Sequence, residues 1–149
     1  MNENIHPVGS ELELKSVYID KCSFERKGNL QIGGNGIQYE YNFNRTIEKH
    51  DDNNYRVSLQ ANITTKDTGL EIHARAVGAF FVSTTDSKKK NALISKNTMS
   101  ILFPFVRSQI VLMTSQTDIN AIVLPVVNVA DMFAEMPLPG EEPAEGTET

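Results

Sequence analysis

Apolar residues at helical spacing mark the longest apolar stretch of the chain, residues 98–133. They form one stripe that is wider than the face of roughly 100° that a surface helix usually buries. The stripe consists of Leu102, Val106, Ile110 and Met113, and is widened by Ile101, Phe105 and Leu112. A chain of 149 residues has little material to cover such a helix on more than one side. We therefore expect the surplus apolar surface to meet a partner subunit, a bound ligand, or both.

The predicted helix has recognisable ends. Ser100 suits an N-cap, and Pro104 is tolerated in a first turn because its missing N–H would have no acceptor there. We expect this helix to end within residues 117–120, and a second, short helix to span residues 129–136. Residues 84–97, with the basic run at residues 88–90, are predicted to form a polar linker with at most one helical turn.

Alternating segments before the helix predict four β-strands. Residues 37–43 alternate strictly between apolar and polar side chains, residues 55–63 and 70–83 also alternate, and turns are expected at residues 51–54 and 66–69. Residues 11–24 alternate less regularly: Val17 and Ile19 are out of phase with Leu12, Leu14, Tyr18, Cys22 and Phe24. This first strand is either apolar on both faces or contains a β-bulge. Small residues between Ala74 and Ala79 should let a helix pack closely on the fourth strand.

Strands followed by helices are the order typical of an α+β domain. We predict a four-stranded antiparallel sheet with two C-terminal helices packed on one face, in a single domain of residues 1–136. Residues 137–149 are rich in proline, glycine and glutamate and have nothing to bury. They are predicted to form a disordered acidic tail.

Charge and composition narrow the class of function. Four of the 19 acidic residues lie in the tail, so the rest of the chain carries 15 acidic against 14 basic groups and has no concentrated basic face for nucleic acid. One cysteine, Cys22, excludes an internal disulfide. No stretch resembles a secretory signal or reaches the roughly 18 apolar residues of a membrane span. We expect a cytoplasmic protein without membrane insertion.

The sequence offers few residues for catalysis. His6, His50 and His73 are not spaced as metal ligands, and Cys22 has no cysteine or histidine close in sequence. The glycine-rich residues 31–38 lack the lysine and hydroxyl residue that end a phosphate-binding loop. We therefore predict no enzyme, no metal and no cofactor, and favour binding over catalysis.

Several segments together resemble the SecB family of bacterial protein-export chaperones. The resemblance is carried by ILFPFVR at residues 101–107, Met113, residues 124–133 with Asn128, Val17-Tyr18, Ser23-Phe24-Glu25 and Gly78-Ala79-Phe80. It implies a homotetramer, built as a dimer of dimers, with the long helices between the sheets of neighbouring subunits. It also implies a holdase without nucleotide, which binds unfolded precursor proteins in apolar grooves and passes them to the SecA motor.

The resemblance also suggests site residues. Candidates for contact with unfolded clients alternate along the second strand or lie on the two helices: Ile37, Tyr39, Tyr41, Phe43, Phe105 and Phe133. The family docks its motor through an acidic pair on the first strand and an acid on the fourth. Glu25 matches one acid, Lys21 beside Asp20 stands at the second, and His73, two residues after Glu71, stands at the third. The docking candidates are thus Asp20, Glu25, Glu71 and His73.

Three other functions remain open at this point. The first is a SecB-like chaperone dedicated to a toxin–antitoxin pair, and the second is a carrier of a small hydrophobic ligand in the same grooves. The third is an enzyme whose site is assembled from residues far apart in sequence.

Overall fold

In the residues that the structure describes, four antiparallel strands are followed by one long helix and a short helical turn. The computed structural model describes residues 11–27, 38–65, 69–117, 119–125 and 129–133. The strands are β1 (Leu12–Arg26), β2 (Tyr39–Lys49), β3 (Asn54–Thr65) and β4 (Leu70–Val82), paired in the order β1-β4-β3-β2. The predicted α+β class and four-stranded antiparallel sheet are confirmed. β1 and β2 lie at the two edges of the sheet.

The central strands carry the core because their alternation places one apolar set on a single face. β-Branched and aromatic side chains suit such a half-buried, pleated surface. Their buried residues are Tyr55, Val57, Leu59, Ala61 and Ile63 in β3, and Leu70, Ile72, Ala74, Ala76, Phe80 and Val82 in β4. We call the opposite face of the sheet the far face; on β3 and β4 it is mainly polar, with residues such as Asn62, His73 and Arg75.

The turn between β2 and β3 lies where the sequence predicts it. The Asp51 carboxylate accepts hydrogen bonds from the backbone N–H groups of Asn53, at 2.9 Å, and Asn54, at 2.8 Å. β2 itself continues to Lys49, six residues beyond its predicted end. Arg45 interrupts the apolar set on its core-side face, and Ile47 resumes it. Residues 66–68, in the second predicted turn, lie outside the described residues.

β1 contains two β-bulges, which explain its irregular pattern. Its register with β4 shifts between Leu14 and Ser16 and again between Ile19 and Lys21. Between the shifts, Val17 pairs with Gly78 and Ile19 with Ala76, so both turn to the core face like the apolar residues before and after them. Simple alternation places Tyr18 on that face as well, and this prediction is wrong: Tyr18 pairs with Val77 on the far face.

The main helix begins earlier than the apolar pattern predicts. α1 (Ser87–Ala92), a π-helical turn (Leu93–Asn97) and α2 (Thr98–Ser115) follow one another directly. Ser100 is therefore not an N-cap, Pro104 lies inside the helix instead of in its first turn, and residues 87–97 are not a linker. The basic run at residues 88–90 lies on α1.

A charged cap stabilises this early start. The Asp86 carboxylate accepts hydrogen bonds from the backbone N–H groups of Lys88, at 3.0 Å, and Lys89, at 3.4 Å. Ile94 anchors the π-helical turn because its side chain is fully buried. A cap and a single anchor are enough here, but neither produces the repeated apolar spacing from which a helix is predicted.

α2 packs on the core face of the central strands. Leu102, Val106 and Ile110 are fully buried, one turn apart. The close approach expected from the small residues of β4 is confirmed, because an ideal Cβ at Gly78 would lie 3.0 Å from Leu102 Cδ2. The helix ends where the Thr114 hydroxyl donates to the Ile110 carbonyl oxygen and accepts from the Ile122 N–H at 2.8 Å.

The second C-terminal helix is much shorter than predicted. Within the described residues it is the single turn α3 (Val129–Met132), in which Val129 is buried and Met132 is exposed. Residues 134–136 and the predicted acidic tail lie outside the described residues. The two packed helices of the prediction are thus replaced by one joined helix, residues 87–115, and one short turn.

Candidate functional site

Aromatic side chains line the core-side face of the edge strand β2. Tyr39, Tyr41 and Phe43, which we call the aromatic row, pair across to Thr65, Ile63 and Ala61 of β3, so they share the face that α2 covers. The rings of Tyr39 and Tyr41 are 6.4 Å apart between centroids. Because β2 is at the edge, Tyr41 keeps 40% of its surface exposed. The row is an aromatic strip that is covered from one side only.

Phe103 of α2 closes one side of the aromatic row. Its ring centroid lies 6.1 Å from that of Phe43, a separation typical of interacting aromatic pairs. Sequence reasoning missed Phe103 as a neighbour of the row. The signal was available, because position 103 continues the helical spacing of the buried residues Met99, Val106 and Ile110.

The phenol of Tyr39 is held in the neutral form. Partial burial, followed by the neighbouring Tyr41, raises the pKa of the Tyr39 phenol above its usual value. A higher phenol pKa keeps Tyr39 uncharged at neutral pH. The row therefore offers apolar rings with hydroxyl donors at their edges.

The next residue on the same face of β2 after Phe43 is the cation Arg45. Arg45 pairs with Leu59 and so shares the face of Phe43. Its guanidinium donates a hydrogen bond of 2.6 Å from Nη1 to the Ser95 carbonyl oxygen and lies 4.8 Å from the centre of the Phe133 ring. Burial lowers the pKa of Arg45. Phe133, predicted on the last helix, follows α3 and is thereby brought to the end of the row.

Phe105 lies apart from the other client-binding candidates. It is on the outward side of α2, with Leu112 two turns further along, and the two side chains are 39% and 55% exposed. A groove of about 530 Å³ lies along α2, and Leu112 lines it but Phe105 does not. Its lining residues are Phe103, Pro104, Arg107, Ser108, Val111, Leu112, Ser115 and Val123. The structure therefore brings Tyr39, Tyr41, Phe43 and Phe133 together and separates Phe105 from them. Ile37 lies outside the described residues.

The docking candidates gather on the far face of the sheet. Glu25 pairs with Glu71, and Ser23 with His73, so Glu25, Glu71 and His73 lie at one end of the β1–β4 pair. Asp20 lies at the second bulge, where its carboxylate accepts both ends of the Arg75 guanidinium fork at 2.7 and 2.9 Å. All four candidates thus lie on one side of the sheet, with Asp20 further along.

The acids of the far face already have cationic neighbours. The Glu71 carboxylate is 2.6 Å from His73 Nε2 and accepts from Lys27 Nζ at 3.0 Å. These hydrogen bonds, that of His73 first, lower the pKa of Glu71. Lys27 Nζ is also 3.9 Å from the Glu25 carboxylate. Each acidic candidate therefore faces at least one cation of the same chain.

The described part of the chain shows exposed apolar surface and no cluster of metal ligands. Among residues 11–27, 38–65, 69–117, 119–125 and 129–133, no group of three histidine, cysteine or acidic side chains is arranged to hold a metal ion. The helices of the same residues are too short or too polar to cross a bilayer. What this surface can do chemically is contact apolar and aromatic side chains.

Comparison with solved structures shows one match that supports the fold. The SecB-like chaperone of Mycobacterium tuberculosis, in complex with a ChAD peptide from the HigA1 antitoxin, matches with a TM-score of 0.65 and 9% identity, over 80% of this chain and 93% of that chain. A Streptococcus agalactiae protein of unknown function has a TM-score of 0.47 and 10% identity, over 77% of this chain and 97% of that chain. At 9% identity the first match shows the fold alone.

Sequence comparisons give the family. No curated protein matches the chain. The model of the family described as preprotein translocase subunit SecB matches residues 6–137, a span that contains every strand and helix of the fold. The resemblance read from the aromatic, proline and glycine positions is thereby confirmed, and the chain belongs to the SecB family.

Proposed function

We propose that this chain is a chaperone that holds unfolded polypeptides without catalysis and without a cofactor. The observation that carries the proposal is the aromatic row on the edge strand β2, with Tyr41 two-fifths exposed. A contiguous strip of partly exposed aromatic rings at a sheet edge is the kind of apolar patch that marks a binding surface. Membership of the SecB family supports the same class of function.

The energetics of this surface suit unfolded clients. An unfolded chain presents scattered aromatic and aliphatic side chains, and each square ångström of apolar surface that it buries contributes about 25 cal/mol. A strip of rings imposes few directional hydrogen bonds, so many different sequences can bind. In a homotetramer, four such strips would bind one long client with avidity.

Refolding of a slow-folding client tests the proposal. Purified protein should delay refolding in proportion to its concentration. Tyr41→Ser should weaken the delay by several-fold, because the exposed ring leaves the strip at little expense to the fold. Tyr18→Ser is the matched control, since Tyr18 is exposed to a similar degree, at 46%, but lies on the far face. A monomer that leaves refolding unchanged would contradict the proposal and favour a small-ligand carrier that uses the groove beside α2.

The proposal extends to export in the cytoplasm. Clients would be unfolded precursor proteins, and the far face, with Asp20, Glu25, Glu71 and His73, would dock the SecA motor through the motor's zinc-bearing tail. The gathering of three of these residues at one end of the β1–β4 pair supports this role.

A second candidate function is a chaperone dedicated to a toxin–antitoxin pair. Two observations favour it: the acids of the far face are engaged by Lys27, His73 and Arg75, and the Mycobacterium tuberculosis chaperone of the same fold is bound to an antitoxin peptide. Binding of the SecA tail peptide, lost in Glu25→Ala, would support export. Failure to bind that peptide, together with retained delay of refolding, would support the dedicated role.

A further inference from the structure

Arg45 places a cation within an otherwise apolar client surface. The positions that share its face along β2, from Tyr39 to Ile47, are aromatic or aliphatic, so a half-buried guanidinium is out of keeping with them. Such a group loses part of its hydration, and this burial lowers the pKa of Arg45. Part of that loss is offset by its hydrogen bond to the Ser95 carbonyl oxygen.

The Arg45 guanidinium makes a cation–π contact with the aromatic ring of Phe133. The ring lies 4.8 Å from the guanidinium carbon, within the distance at which the negative face of a ring attracts a cation. The segment that brings Phe133 there is slight: α3 has four residues, of which Val129 is buried and Met132 is exposed. The aromatic row ends directly beside this pair, because Phe43 lies two residues before Arg45 on the same face.

We propose that Arg45 is a specificity-determining residue that gives the client surface a preference for aromatic side chains, and that a client ring takes the place of Phe133 on its guanidinium. This inference rests on the proposed holdase function and adds the substrate class to it. Aliphatic side chains would bind along the aromatic row with area-dependent strength, whereas an aromatic ring at the Arg45 position would gain the cation–π attraction as well. Phe133 then competes with clients from within the same chain.

Two peptides that differ only in the electronic character of one ring test the preference. Both are fluorescein-labelled, unstructured, glycine- and serine-rich sequences; one carries phenylalanine and the other cyclohexylalanine, which has a similar shape but no π face. Fluorescence polarisation gives both dissociation constants. The unmodified protein should bind the phenylalanine peptide about fivefold to tenfold more tightly, the range expected for a partly desolvated cation–π pair.

Variants distinguish direct contact between Arg45 and the client ring from an indirect role in which Arg45 only holds Phe133 in place. Arg45→Met should bring the two dissociation constants together, and Arg45→Lys, which keeps the charge but loses the flat fork, should reduce their ratio in part. Phe133→Ala should tighten both peptides and keep the ratio. Arg56→Met, the same change on the far face, should leave all values unchanged. If Arg45 acted only by holding Phe133, the ratio would be the same in Arg45→Met as in the unmodified protein, and the proposal would be wrong.

The outcomes also separate this inference from the proposed function. If the unmodified protein delays refolding but binds both peptides equally, only the proposed role of Arg45 is contradicted. This comparison needs no variant. A protein that neither delays refolding nor binds either peptide contradicts the holdase function, and with it this inference.

Discussion

Gly78 sets how closely α2 approaches the sheet. A Cβ at this position would lie 2.6 Å from Phe80 Cε2 and 3.0 Å from Leu102 Cδ2, and both of these side chains are buried. Gly78→Ala should therefore force the core apart and lower the free energy of unfolding, measured in urea, by about 1–3 kcal/mol. Ala79→Ser, one residue further on the far face, should change it by less than about 0.5 kcal/mol. Equal effects of the two substitutions would show that the contact is not tight.

The Glu71 carboxylate makes the stability of the protein depend on pH. Hydrogen bonds from His73 and Lys27 lower its pKa below the ordinary value of 4.5. A group whose pKa is lowered by folding stabilises the folded state above its unfolded pKa, and the contribution is lost as the pH falls through the folded pKa. Glu71→Gln should therefore reduce the free energy of unfolding at neutral pH, and the difference should shrink as the pH falls below 4.5.

Denaturation of both proteins in urea across a pH series measures this difference. An NMR titration of the Glu71 carboxyl gives an independent check, because His73→Ala removes the largest cause of the shift and should move the pKa of Glu71 back towards its ordinary value. A difference between Glu71→Gln and the unmodified protein that stays constant into acid would contradict the assignment.

At the scale of residues, the sequence predicts on which face of a strand a side chain lies better than it predicts which distant side chains it contacts. The alternation of β2 places Tyr39, Tyr41 and Phe43 on one face, and the structure agrees. The same alternation includes Arg45, but nothing in the sequence indicates that its guanidinium meets Phe133, 88 positions later, because that contact depends on where α3 returns to the sheet. The family resemblance predicts Phe105 as a client contact together with the row, but the helical turn places it on the outward side of α2.

At the scale of elements, Asp86 determines where the long helix begins. Its carboxylate satisfies two N–H groups that would otherwise lack an acceptor. Asp86→Ala should lower the free energy of unfolding by about 0.5–2 kcal/mol. Ser100→Ala is the matched control, since Ser100 is the N-cap that the apolar pattern suggests but lies within the continuous helix; its effect should stay below about 0.5 kcal/mol. A larger loss in Ser100→Ala would place the start of the stable helix at α2.

Two of the misjudged elements, β1 and the start of the long helix, lack a regular apolar period. The phase change at Val17 and Ile19 predicts either a bulge or a strand that is apolar on both faces. It does not predict that β1 contains two bulges, one between Leu14 and Ser16 and one between Ile19 and Lys21. Two bulges return the strand to its first phase, so the pattern before and after them looks uninterrupted. Residues 87–97 form helix through a cap and one buried isoleucine, which leave no period to recognise.

At the scale of the whole molecule, α2 buries one side and exposes another. Leu102, Val106 and Ile110 fill the core, whereas Phe105, Leu112 and the nearby Val123 remain largely exposed. An apolar surface of this kind on a soluble protein usually meets a partner. The proposed tetramer would cover it with a neighbouring subunit, while the aromatic row stays available to clients on the edge strand.

Leu112→Glu tests this division of labour between the two surfaces. A carboxylate at a position that is 55% exposed in the single chain should leave the fold intact, but it would be buried without a partner in a subunit interface. Multi-angle light scattering should therefore show a tetramer for the unmodified protein. The variant should appear as dimers or as monomers, the monomer having a mass of 16.6 kDa. Asn97→Glu, at an exposed position early in the same helix, should keep the tetramer.

The variant also shows what assembly contributes to client binding. Each dissociated subunit retains Tyr39, Tyr41 and Phe43, so binding of the short phenylalanine peptide should persist with little change. Delay of the refolding of a long client should fall by 10-fold or more, on the order of the avidity that linked sites supply. A tetramer that survives Leu112→Glu would show that the outward face of α2 is not the subunit interface.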